Sequence, residues 1–239
     1  MEKDLKTVLL EEYQKINLKD LYQWTFPQEP PINMPKNLSD YEKNIYLKEN
    51  LYKQLQKNET NGDNENFLKL SYWIVKKWGN INLQENKKNN AKIRNFIHKI
   101  KSLNNRLLKS EFETISSLSK IASFYSPQNF AIYDSRAIYS LNWIIFKHNL
   151  ETKFFPQPSG RNPSIVEYDQ KTIFNLSKRK IEYYKDQIAY FEYCNLLKNT
   201  IALSSNNIKI YQIEMFLFSM AAPKIVDDIK KSLSLIIKT

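Results

Sequence analysis

The chain has 239 residues, and 36 Lys and Arg against 25 Asp and Glu give it a net charge of +11. Its three glycines, Gly62, Gly79 and Gly160, lie too far apart for a Walker loop or a dinucleotide fingerprint, both of which need clustered glycines. A single cysteine excludes an internal disulfide framework, and His98, His148 and Cys194 lack the spacing of zinc ligands, so no metal or organic cofactor is expected.

Residues 1–24 read as one helix. Pro27, Pro30, Pro31 and Pro35 then make residues 25–37 an extended linker, because proline fixes φ and has no amide donor. Ser39 or Asp40 caps a helix running to about residue 56, and residues 57–66 are a polar loop. Residues 67–78 form an aromatic-rich helix with Gly79 as its C-cap. Residues 86–109 are expected as a long basic helix, with Ile93, Phe96, Ile97, Ile100, Leu103 and Leu107 on one face. Ser116 or Ser117 caps a short helix stopped by Pro127. The apolar stretch 130–133 leads to Asp134, the N-cap of a helix to about residue 149. Residues 155–163 are a second Pro- and Gly-containing loop, followed by a long Tyr-rich helix over 164–204 and a last pair over 207–221 and 226–237. Sustained alternation and internal repeats are absent, so the expected class is all-α. The expected arrangement is a single domain of two helical lobes with a cleft between them.

The positive charge favours a polyanionic partner, nucleic acid first, with a lysine-rich solvated surface as the plainer alternative. Glu2, Asp4, Glu11 and Glu12 argue against a signal or transit peptide. The best apolar run, 137–146, is broken by Ser140 and Asn142 and is too short to span a bilayer. A cytoplasmic monomer without a membrane partner is therefore expected.

Three segments carry a family resemblance. Residues 116–122 (SSLSKIA), followed by 131–136 (AIYDSR), resemble the helix-hairpin-helix superfamily of DNA glycosylases, and within it the 8-oxoguanine type, here without an N-terminal β domain. Lys120 matches the family lysine that opens the second hairpin helix, and Asp134 the aspartate at the start of the next helix. Residues 213–219 (IEMFLFS) look like the helix that lines the base pocket. There Phe218 matches the phenylalanine that stacks on the extruded base, and Glu214 the polar residue one turn earlier, usually an amide, that meets its Watson–Crick edge. Residues 74–81 (IVKKWGNI) are similar to a stretch in bacterial relatives but suggest no role. Three features depart from the pattern: Ser116 and Leu118 stand where the hairpin has glycines, the interval from Lys120 to Asp134 is short, and Glu214 replaces the amide.

The resemblance implies a glycosylase acting on DNA, either a duplex with a flipped base or a single strand. A neutral Lys120 would attack the anomeric carbon and form a Schiff base, with β-elimination following. Asp134 would stabilise the cationic sugar and move protons. An ionised Glu214 accepts two hydrogen bonds, which suits the two adjacent donors on the edge of a guanine-like base. Arg136, at a helix start, and Ser117, Ser119, Lys178 and Arg179 are the expected phosphate contacts. A catalytically inactive nucleic-acid-binding or anti-phage defence protein on the same fold is the main alternative, and a basic scaffold with a Tyr-rich interface the second.

Overall fold

The computed structural model describes residues 4–26, 29–102, 105–160, 162–177 and 179–233. Asp4 opens α1 (Leu5–Gln14) by accepting from the Lys6 amide, and a separate turn, α2 (Leu18–Leu21), follows. The single helix expected over residues 1–24 is thus broken at Asn17, whose side chain donates to Asp20 at 2.6 Å. The chain then runs extended through residues 22–26, which turns Tyr22 and Trp24 toward the interior.

Ser39 and Glu42 form a reciprocal capping box at the start of α3 (Asp40–Thr60), leaving two amides of its first turn satisfied. This helix continues through most of the stretch expected as a polar loop, which shrinks to the turn 61–63 with Gly62 at φ 71°. The apolar face of α3, Leu47, Leu51 and Leu55, was strong enough to carry it on. α4 (Asn64–Tyr72) passes directly into a π-helical turn, Trp73–Trp78.

α5 (Lys87–Lys101) stops well short of residue 109. Leu107 instead leaves the helix and donates its amide to the Gln187 carbonyl at 2.8 Å, and Leu103 lies outside the described residues. After α6 (Lys109–Phe112) come α7 (Ile115–Tyr125) and α8 (Ser135–Lys147), both buried almost all round and therefore central. The long helix expected over 164–204 is three pieces: α9 (Pro163–Glu167), α10 (Gln170–Leu176) and α11 (Asp186–Ala202). Between the last two, the chain pairs with Phe154, whose amide donates to Glu182 and whose carbonyl accepts from Tyr184, both at 2.8 Å. Tertiary docking overrides helix periodicity here. α12 (Ile210–Met220), a second π turn Ala221–Ile225 and α13 (Val226–Ser232) form one continuous rod, and the expected end of the last helix at residue 237 lies outside the described residues.

The protein is mostly helical, with α8 packed along α12 at its centre, α3 lying on α7, and α1 on α11. Among the described residues, no helix is long and apolar enough to cross a membrane. One buried side chain ties the N-terminal segment to this core. Asn44 donates to the carbonyls of Trp24 and Asp40, both at 2.8 Å, and accepts from the Trp78 indole at 2.7 Å. The Trp24 indole returns a bond to the Trp78 carbonyl at 3.1 Å. Replacing Asn44 with Leu would strand an indole N–H and a carbonyl away from water, so the variant should lose about 3 kcal/mol of stability. Urea unfolding of the variant beside the parent protein measures it.

Candidate active site

A cleft of about 610 Å³ opens between the N-terminal ends of α7 and α8, with α12, the residue 22–24 segment and the loop ahead of α9 as its other walls. Lys120, Asp134, Arg136, Glu214 and Phe218 all line it, as does Ser117.

Lys120 reaches the cleft from α7, one turn beyond Ser116, whose carbonyl accepts from its Nζ at 3.1 Å. Only 6% of the residue is exposed. Burial pushes its ammonium below the usual lysine range, and Asp134 and Glu214 pull the other way without cancelling the effect. The aliphatic stem passes directly over Gly79. A Cβ at that position would stand 2.8 Å from Lys120 Cδ and 2.8 Å from the Val75 carbonyl. Gly79 is the C-cap expected from the sequence, with its amide donating to the Ile74 carbonyl, but its φ of −85° does not itself require glycine. The need for glycine here is room for the lysine.

Asp134 is fixed by a clamp on its predecessor. The Tyr133 amide donates to Ser119 Oγ at 2.9 Å, and its carbonyl accepts from Ser116 Oγ at 3.4 Å. Two serines of α7 thereby hold the segment that delivers Asp134 to Lys120. The carboxylate also caps α8, accepting from the Ala137 amide at 2.9 Å. Ser119 is fully buried in this clamp and does not line the cleft. Its expected role as a phosphate contact is corrected to a structural one.

Glu214 and Phe218 lie one turn apart on α12. Glu214 is 3% exposed, and its Oε2 has no hydrogen-bond partner among the described residues. Burial raises its carboxyl above the usual range, and the nearby ammonium of Lys48 opposes that rise. Phe218 meets Trp24 edge-on at 5.5 Å, and the Arg136 guanidinium lies 4.7 Å from its ring centre. On the opposite wall, Gly160 packs against Ser135, where a Cβ would fall 2.2 Å from the hydroxyl.

Arg179 does not reach the cleft. Its guanidinium donates to the carbonyls of Ile145 at 3.2 Å, Phe146 at 3.1 Å and Leu150, satisfying the C-terminal end of α8. It also lies against the Phe146 and Phe154 rings, so the expected phosphate contact is corrected to a helix cap. Lys178 lies outside the described residues. Sequence reasoning missed Lys48, although its register offered a signal. Asn44, Lys48, Leu51 and Leu55 recur at three- and four-residue spacing, which places the lysine on the buried face of α3.

The cleft therefore presents a desolvated primary amine beside two carboxylates, under an aromatic wall. Such an amine can add to an electrophilic carbon, provided it is neutral. No protein-family model, curated protein or solved structure matches this chain.

The displaced amine has a stability consequence. Unfolded, Lys120 titrates near 10.4; folded, it titrates lower. Between these two points the unfolded state binds more protons. The residue therefore costs stability below its folded titration point, and the cost fades as pH rises toward the unfolded value. Lys120→Met should raise the melting temperature at pH 7, with a gain that shrinks toward pH 10. Calorimetry across that range tests it, and a constant gain would remove the displaced amine.

Proposed function

We propose that the chain is a DNA N-glycosylase of the helix-hairpin-helix superfamily, 8-oxoguanine type, built as two helical lobes around the cleft and carrying abasic-site lyase activity. The observation that carries this reading is the buried amine of Lys120 beside Asp134, at the floor of a cleft large enough for a base. The neutral nitrogen attacks the anomeric carbon, the glycosidic bond breaks with its electron pair leaving on the base, and the base takes up a proton. Opening of the sugar ring gives the lysine imine. Loss of a proton from the adjacent carbon then expels the 3′ phosphate. Asp134 faces the positive charge that develops on the sugar.

An extruded base stacks on Phe218, on the face now covered by Arg136, and the displaced guanidinium is free to meet a phosphate. Glu214, when ionised, accepts from the two adjacent donors of a guanine-type edge, and its unpartnered oxygen gains a bond in doing so. Ser117 and the first turn of α7 supply the hairpin contact to the backbone. The site needs neither a metal nor an organic cofactor for this chemistry. A net charge of +11 suits a DNA partner, and a cytoplasmic monomer is the state in which the protein would act.

Borohydride trapping on a duplex containing 8-oxoguanine tests the assignment. A covalent protein–DNA band is expected, and Lys120→Gln should abolish it. Trapping that survives this substitution would move the nucleophile elsewhere. If neither the lesion duplex nor an abasic duplex is trapped while salt-sensitive DNA binding persists, the chain is a nucleic-acid-binding protein on this fold. Glu214→Ala should weaken selection for the modified guanine over other bases by tenfold or more, on the order of the 1–3 kcal/mol of a buried polar contact. Competition cleavage assays read that ratio, and an unchanged preference removes Glu214 from base recognition.

A further inference from the structure

The positive charge of the chain is not spread evenly. Residues 76–109 hold ten Lys and Arg against one acid, Glu85, so nine of the eleven net positive charges lie in this segment. Glu85 is itself paired with Lys76 at 2.7 Å. The centre of the segment is α5, which carries six Lys and Arg and no Asp or Glu. Its apolar side, Ile93, Phe96, Ile97 and Ile100, is buried in the core. Neighbouring elements occupy both flanks. On one, Lys92 donates to the Ser110 carbonyl at 3.0 Å and to Thr114 Oγ1 at 3.3 Å, and Lys99 pairs with Glu111. On the other, Lys101 pairs with Glu59 at 2.8 Å, and Asn90 accepts from the Tyr72 hydroxyl at 2.7 Å. The crest between the flanks, Lys87, Lys88, Ala91, Arg94, Asn95 and His98, is open to solvent. Lys87, Lys88 and Arg94 have no carboxylate within ion-pair distance among the described residues.

This arrangement costs the helix stability. Lys87 and Lys88 stand in the first turn, at the positive end of the helix dipole, where α5 has no acid. Lys88 and Lys92 repel each other at i, i+4. A polyanion lying on the crest would reverse both effects. The crest also begins at the rim of the cleft. Residues 79–83 line the cleft wall and lead directly into α5, and Thr114, which bonds Lys92, lines the cleft as well. Lys87 and Arg94 lie about 10 Å apart along the helix axis, about three base pairs of duplex rise.

We propose that the crest of α5 is a second nucleic-acid contact, on which DNA flanking the cleft lays one phosphate backbone across Lys87, Lys88 and Arg94. The chemistry of the crest selects this partner. A membrane-surface helix inserts an apolar face, and that of α5 is committed to the core. A protein interface is centred on aromatic or large apolar anchors, and Ala91 is the one apolar residue of the crest. What remains is charge and side-chain hydrogen bonding, which suits phosphate oxygens and does not read base sequence. The inference rests on the glycosylase reading only for which nucleotide occupies the cleft.

The test measures binding of the full chain to a short lesion-free duplex by fluorescence anisotropy, over a series of salt concentrations. Each neutralised phosphate contributes about 0.9 to the slope of log affinity against log salt. Lys87→Gln, Lys88→Gln and Arg94→Gln combined should therefore make the slope shallower by about 2.7, and equally so on unrelated sequences. Arg94→Gln alone should make it shallower by about 0.9, and decides the matter if the combined variant does not fold. Lys171→Gln, Lys180→Gln and Lys231→Gln combined remove the same charge from exposed positions outside α5 and should leave the slope of the parent. An unchanged slope in the α5 variants overturns the proposal, as does an equal change in the control. If the slope is unchanged but the α5 variant no longer binds phosphatidylserine vesicles, the crest is a membrane contact instead. Borohydride trapping of the parent protein separates the two conclusions. A shallower slope with no trapping on a lesion or abasic duplex keeps the crest as a DNA contact and removes the glycosylase reading. Trapping with an unchanged slope does the reverse.

Discussion

Taking an ion out of water costs several kcal/mol even after the protein relaxes around it, and this region buries three ionisable side chains from three helices: Lys120 and Glu214 line the cleft, and Lys48 lies against the Trp78 ring. Lys48, Lys120 and Glu214 are each at most 6% exposed, and none forms a close ion pair among the described residues. Burial does most to displace the protonation of all three, and the charges on their neighbours modulate it. The architecture can be understood as an enclosure for these charges: α3, α7 and α12 present them, and α8 contributes the partly buried carboxylate of Asp134 at its N-terminus.

The enclosure is closed by aromatic rings held in place by polar bonds. Trp78 lies over Lys48 and is fixed through its indole to Asn44. Trp24 is fixed to the Trp78 carbonyl and in turn buttresses Phe218. A chain of contacts thus runs from the buried lysine to the ring expected to stack on a base. The serine clamp on Tyr133 does the equivalent for Asp134. Phe218 and Asp134 are thus each supported by a second residue whose own polar atoms are satisfied.

Much of this was legible in the sequence because it rests on local signals. A cap at Ser39, Asp134 ahead of an apolar helix, and the i, i+4 spacing of Glu214 and Phe218 all depend on residues close in the chain. The order of those segments brought four residues together on paper that also meet in the cleft. What escaped notice depends on contacts between distant segments. The Tyr-rich stretch has helical periodicity throughout, but Arg179 caps α8 and residues 182–184 pair with Phe154, so the helix breaks there. Ser119 and Ser117 are two residues apart and point in different directions, which spacing alone did not separate. Lys48 was passed over because lysine is normally solvated, although its helical register placed it inward.

The π turn at Trp73–Trp78 bears on how such a site tolerates change. A π turn holds one residue more than the α turn it replaces. Losing a single residue there would let the helix close in α geometry and rotate everything after it by about 100° around the axis. The Trp78 indole would leave Lys48, and Gly79 would no longer lie beneath Lys120. The wall of the cleft is thus sensitive to chain length in a way it is not to composition. Conservative replacements along Trp73–Trp78 preserve the geometry, whereas a one-codon deletion rebuilds the pocket in a single step.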